Sequence, residues 1–154
     1  MEFRQAHTET DIAAARQIFR EYENWLGLDL CFQGFEEELK TLPGKYAMPD
    51  GRLYLATDGD KIAGCIALRK IEAGVCEMKR LFVREGFRGR HVGRLLIERL
   101  IAEAREIGYR RMRLDTFPPK MGKAVQLYES YGFREIPPYY DNPNSDVLFM
   151  ELDL

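Results

Sequence analysis

Along the chain the spacing of hydrophobic positions switches from helical to strand-like and back. Ile12, Ala15, Phe19, Tyr22 and Leu26 recur at helical spacing and stop at Gly27, which predicts an amphipathic helix with a glycine end. Thr8 or Thr10 offers its cap, and Asp11 puts an acid in its first turn. Residues 2–6 ahead of it read as a short strand, and 34–41 as a second, short helix stopped by Pro43 and Gly44. Residues 52–57 and 61–70 then read as strands joined by Asp58-Gly59-Asp60, a hairpin signal. Ala73-Gly74 turns the chain into a third strand over 75–83, and turns this short force antiparallel neighbours.

Helical spacing returns at Val92, Leu95, Leu96, Leu100, Ala104 and Ile107, with Gly108 as the stop. A strand at 111–115, a helix at 122–131 ended by Gly132, and strands at 133–136 and 147–152 complete the reading. The strand at 75–83, the long helix and the strand at 111–115 form a β-α-β unit, so those two strands should be parallel with a right-handed crossover. The predicted architecture is mixed α/β, an antiparallel meander followed by a parallel crossover. At 154 residues without repeats or linker-like stretches, the chain reads as one domain over 1–154.

Composition narrows the function classes. No apolar stretch approaches the length of a membrane helix, and the first residues hold no apolar signal core. Cys31, Cys65 and Cys76 are odd in number and lack C-x-x-C spacing, which suits a reduced, cytoplasmic compartment and gives no metal framework. The net charge of −2 argues against a nucleic-acid coat. That total hides an asymmetry, because residues 79–94 carry six Lys/Arg against one acid.

Within this basic segment Leu81-Phe82-Val83 runs into a loop with Arg84, Gly86, Arg88, Gly89, Arg90 and Gly93, and the loop opens directly into the long helix. Helix-start amides bind anions, Arg adds charge-assisted bonds to phosphate oxygens, and glycine allows close backbone approach. The loop lacks the Gly-Lys-Ser/Thr of a P-loop and the G-x-G-x-x-G spacing of a dinucleotide site. No aromatic platform interleaves with it, which weighs against a nucleic-acid partner.

Arg88-Gly89-Arg90-His91-Val92-Gly93 resembles the acyl-CoA pyrophosphate loop of the GNAT superfamily of N-acetyltransferases, written Q/R-x-x-G-x-G/A. Residues 77–83 resemble that family's fourth strand, and 124–133 (AVQLYESYGF) its A-x-x-L-Y-x-x-x-G-F element. The order of elements matches over essentially the whole chain.

The resemblance implies a GNAT-like fold with a cleft between splayed fourth and fifth strands. Pantetheine would lie along Leu81, Phe82 and Val83, and the pyrophosphate on the amides of Arg88, Gly89, Arg90, His91, Val92, Gly93 and Arg94. Tyr128 falls on the tyrosine that protonates the departing thiolate, and Glu77 on the position of a general-base glutamate. A strand amide such as that of Leu81 would polarise the thioester. Tyr22, Phe32 and Tyr139 are the implied acceptor contacts. The implied activity is direct transfer of acetyl from acetyl-CoA to a small-molecule, peptide or protein amine, without a metal; the alternative is a non-catalytic acyl-CoA-binding domain. The resemblance also allows a homodimer. Two positions depart from the pattern. His91 replaces a motif glycine, a small loss where the helix has already begun, as is expected here, and Met121 replaces a frequent asparagine.

Overall fold

A computed structural model describes all 154 residues, the side chain of Phe32 excepted. Its centre is a seven-stranded sheet. In chain order the elements are β1 (Glu2–Gln5), α1 (Glu9–Leu26), α2 (Phe35–Thr41), β2 (Arg52–Asp58), β3 (Lys61–Glu72) and β4 (Val75–Val83). They continue with α3 (Val92–Ile107), β5 (Arg111–Thr116), α4 (Pro118–Ser130), β6 (Arg134–Ile136) and β7 (Leu148–Asp153). The strands lie side by side as β1-β2-β3-β4-β5-β7-β6. Only β4 and β5 pair in parallel, joined by α3 as the sequence predicts.

The sheet is covered on both faces, which explains why β2 and β3 read as nearly continuous apolar runs. Leu53, Leu55, Cys65 and Ala67 face α1 and α2, where Ile18, Phe19, Phe35 and Leu39 are buried. Ile66, Leu68, Cys76 and Met78 point the other way, onto Leu96, Ile97 and Leu100 of α3. Thr8, not Thr10, caps α1: its hydroxyl accepts from the Asp11 amide at 3.1 Å, and Gly27 closes the helix at φ 74°.

The largest departure from the expected elements is α4, which starts at Pro118 rather than 122. Pro118 and Pro119 suit a first turn whose amides have no helical partner. Met121 then leaves helical geometry (φ −123°, ψ 33°) and kinks the helix.

Two backbone features position the site. The β4–β5 ladder ends at Glu77 opposite Arg113, although β4 continues to Val83 and β5 to Thr116. Opposite β3, the register passes from Ala67–Lys79 to Cys65–Phe82, so β4 carries one extra residue there. Arg80 sits at this bulge with φ 60°, a strained conformation for a residue with a Cβ. Its guanidinium is buried, donates from Nε and one terminal nitrogen to Glu38 at 2.9 Å each, and stacks over Phe35. An α2 carboxylate thus secures the bulge. Gly64 on β3 belongs to the same arrangement, because a Cβ there would stand 2.7 Å from the Phe82 carbonyl.

Candidate active site

Where β4 and β5 part, the β4 edge from Met78 to Val83 has no strand partner on that side. An unpaired edge offers amides and carbonyls to an extended ligand. Beside it, on the α3 and α4 face, lies a cleft of about 570 Å³ lined by Leu81, Phe82, Val83, Arg88, Gly93 and the first half of α4. Trp25 at the end of α1 is half-buried and forms part of this wall. Arg88 and Lys120 stand over its ring at 5.1 and 5.7 Å. Lys120 and Lys123 therefore bring cations to the cleft, Lys123 from the expected helix and Lys120 from the extra turn at its start.

The glycine-arginine loop closes one end. Arg88 donates from Nε to the Val83 carbonyl, which fixes the loop against the end of β4. Arg84 is committed to Glu21 of α1 by two bonds, and Arg90 pairs with Asp58. Gly89, Arg90 and His91 lie beside the cleft rather than in its wall. Val92 is buried, while Arg94 is exposed in the first turn of α3.

His91 corrects the sequence reading, since it is not in the helix but precedes it at φ 60° with no side-chain cap. Its Cβ therefore carries the left-handed penalty, roughly 1–2 kcal/mol. His91→Gly should stabilise the fold by about 1 kcal/mol after the extra glycine entropy is subtracted. A thermal melt checks this, as a rise of roughly 2–4 °C.

On the α1 and α2 face a second cavity of about 500 Å³ is lined by Gln33, Glu37, Glu38, Lys45, Arg69, Glu77, Lys79 and Tyr140. Glu77 projects toward it from β4, yet only 1% of its surface is exposed. Oε1 accepts from Arg69 Nε at 2.7 Å and Oε2 from the Tyr139 hydroxyl at 2.6 Å. Burial alone would raise its pKa, but Lys79, Arg69 and the Tyr139 bond outweigh burial and hold it below the ordinary carboxylate range. Glu77 is thus no solvated strand carboxylate, and its main partner is Arg69, with Lys79 at 3.8 Å. With both oxygens engaged and its proton affinity lowered, it suits an anchored charge better than an open base.

Between cleft and cavity a hollow of about 20 Å³ marks the throat of the splay, where Leu81, Tyr22, Lys79, Asp115 and Tyr128 converge. It shares Lys79 with the cavity and Leu81 and Met121 with the cleft. The Tyr128 hydroxyl has no hydrogen-bond partner, yet no buried side-chain oxygen lacks one among the described residues. That hydroxyl must therefore touch the hollow. Burial raises its pKa, so it stays protonated and can donate. Tyr22, likewise buried, has its pKa pushed up to about 12.

Asp115, at the end of β5, escapes sequence reading entirely. It accepts a hydrogen bond from the Tyr140 hydroxyl, and Tyr140 lines the second cavity while Asp115 lines the throat. Tyr139 does not line the cavity and acts through Glu77, whereas its neighbour Tyr140 lines it, as does Tyr46. Phe32, the remaining expected contact, has its side chain outside the described residues. Arg113 is no solvated strand edge, being paired with Glu151 at 2.8 Å and stacked on Tyr139.

Among the described residues no three His, Cys, Asp or Glu side chains gather as a metal site, and no helix is long and apolar enough to cross a membrane.

The arrangement has close counterparts. An uncharacterized N-acetyltransferase from Schizosaccharomyces pombe is 38% identical over 94% of this chain and 89% of its own length. A crystal structure of an acetyltransferase from Streptococcus agalactiae superposes with a TM-score of 0.81 at 24% identity, covering 99% of this chain and 98% of that one. A GNAT family acetyltransferase from Elizabethkingia anophelis, solved with acetyl-CoA bound, is 26% identical over 68% of this chain and 77% of its own, with a TM-score of 0.58. The model of the acetyltransferase (GNAT) family matches residues 13–133. With a splayed parallel pair, a glycine-arginine loop at a helix start and a family match across most of its length, this chain belongs to the GNAT acetyltransferase family.

Proposed function

We propose that the chain, acting as one unit over 1–154, transfers an acetyl group from acetyl-CoA to an amine in a ternary complex. The observation that carries this reading is the throat, where a cleft on one face of the sheet and a cavity on the other meet between β4 and β5. Two reactants can reach one point from opposite sides without passing each other. The unpaired β4 edge and the cationic loop fit an extended amide chain ending in a pyrophosphate. The relative with acetyl-CoA bound supports that choice of donor.

Acetyl-CoA supplies a thioester, an activated acetyl group. Gly93 and the other first-turn amides of α3 hold its phosphates, with Arg88, Lys120 and Lys123 adding charge. Leu81, Phe82 and Val83 hold the pantetheine arm along the free strand edge. The Leu81 amide, next to the bulge, donates to the thioester carbonyl. Tyr128 donates its hydroxyl hydrogen to the sulfur that leaves; its raised pKa favours a hydrogen bond over full proton loss. Asp115 takes the amine proton, directly or through a water, while the Tyr140 hydroxyl, whose oxygen already accepts from Asn142 at 2.9 Å and Gln33 at 3.4 Å, holds the carboxylate in place. Glu77 orients Arg69 and Tyr139 rather than collecting the proton itself.

The test is thiol release from acetyl-CoA across a panel of amines. Turnover on at least one amine is expected, and acetyl-CoA binding without release on any would leave a binding protein instead. Tyr128→Phe should lower kcat about tenfold or more while acetyl-CoA affinity stays within about threefold. An unchanged kcat, with chemistry rate-limiting, removes Tyr128 from the reaction.

A further inference from the structure

The acceptor-side cavity contains both signs of charge, but they are not equally committed. Each oxygen of Glu38 accepts from Arg80, and each oxygen of Glu77 accepts from Arg69 or Tyr139. The cations retain unspent donors. Lys79, with only 9% of its side chain exposed, makes one hydrogen bond, to Gln33 Oε1 at 2.8 Å. Arg69 donates only through Nε, leaving both terminal nitrogens without a hydrogen-bond partner. No buried side-chain nitrogen lacks a partner among the described residues, so these two reach open space, and Arg69 lines the cavity.

Strand register orders these groups along one axis. Arg69 stands opposite Glu77, and Lys79 lies two residues further toward the bulge, opposite Ala67. Beyond Lys79 comes the throat, where Asp115 faces it with the Tyr140 hydroxyl bound. At the rim Lys45 and Glu37 are exposed and roughly cancel. The outer end of the cavity therefore offers a planar guanidinium fork, and the inner end a carboxylate beside the throat.

We infer that the acceptor is an amine carrying its own oxyanion, with the oxyanion held by the terminal nitrogens of Arg69 and by Lys79 and the amine directed inward to the throat. The fork of Arg69 matches the two oxygens of a carboxylate or phosphate, and a neutral or purely cationic amine would leave these donors unanswered. Anchoring the anion at the outer end also sets the reach of the amine, which is how one cavity selects among amines of similar size. This inference rests on the acetyl-transfer reading for the purpose of the amine, but not for the binding of the anion.

The experiment measures binding by calorimetry to the full chain saturated with CoA, using matched pairs that differ only in the anion. The pairs are phenylalanine with phenethylamine, histidine with histamine, and phosphoethanolamine with ethanolamine; the first two report on carboxylate and the third on phosphate. In at least one pair the anionic member should bind about tenfold or more tightly than its partner. Arg69→Gln should bring that ratio close to one. Arg69→Lys, which keeps a cation beside Glu77 if the Gln variant folds poorly, should reduce it severalfold. Equal or tighter binding by the anion-free member of every pair overturns the inference, as does no binding by any member or a ratio untouched in the folded variants. Thiol release is followed in parallel. Selective anion binding with no release on any amine would sink the acetyl-transfer reading while leaving this assignment of the cavity standing.

Discussion

Gly93→Glu should leave the chain folded and raise its Kd for acetyl-CoA by at least about a hundredfold. Gly93 is not in the left-handed region, and a Cβ built on it meets only a Val83 methyl, at an ordinary 3.7 Å. The side chain therefore has room. It sits in the first turn of α3, where amides have no helical partner and the helix dipole is positive. A carboxylate there is favourable for the helix itself, by typically 0.3–1 kcal/mol. It would also occupy and neutralise the place proposed for the pyrophosphate. The two effects have opposite signs, so stability and binding should separate. Thermal unfolding should stay level or rise slightly while calorimetric binding of acetyl-CoA disappears. Binding retained at wild-type affinity would refute the placement of the phosphates on this loop, and a collapsed Tm would make the loss structural instead.

The loop was readable in the sequence because its chemistry is local. Glycines, arginines and a helix start within a few residues need no tertiary contact to be recognised, and the β-α-β unit around them follows from hydrophobic period alone. The left-handed turn at His91 was misread even though the family motif has glycine there, because a histidine at a helix start reads equally well as the first residue of the helix. The acceptor side was mostly invisible for the opposite reason. Its defining contacts join Glu38 to Arg80, Glu77 to Tyr139 and Gln33 to Tyr140, separated by 42, 62 and 107 positions. No window along the chain contains both members of such a pair. Glu77 shows the consequence: its position was legible, but its proton affinity depends on Lys79, Arg69 and Tyr139, whose placement against it only the folded sheet sets. Arg80 makes the same point structurally. Read alone it is one more cation in a basic run, whereas its bond to Glu38 helps keep the bulge that leaves the β4 edge free.

Asp115→Asn should lower the single-turnover rate of acetyl transfer by about a hundredfold or more, as loss of a positioned proton acceptor does. Asparagine has nearly the same shape and can still accept from Tyr140 through its amide oxygen, so the tyrosine keeps its place in the cavity. Affinity for acetyl-CoA should stay within about threefold, because Asp115 lies at the throat and not in the wall of the cleft. A purely structural loss would depress the rate equally at every pH. Loss of a proton acceptor does not, because an amine already deprotonated in solution needs no base before it attacks and loses its remaining proton to solvent afterwards. With an ordinary amine pKa near 10.4, the variant's rate should climb with pH as free amine accumulates, and the gap to the wild type should narrow. Tyr140→Phe should move the rate in the same direction by a smaller factor, since it leaves the carboxylate in place and removes only the hydroxyl that orients it. A full rate in the Asp115 variant would remove this pair from the chemistry. The proton would then leave through the Glu77 cluster, where Arg69 and Tyr139 each bond one oxygen and Lys79, Arg69 and Tyr139 together lower the proton affinity of the carboxylate. Glu77→Gln would in that case show the pH-dependent loss that Asp115→Asn did not.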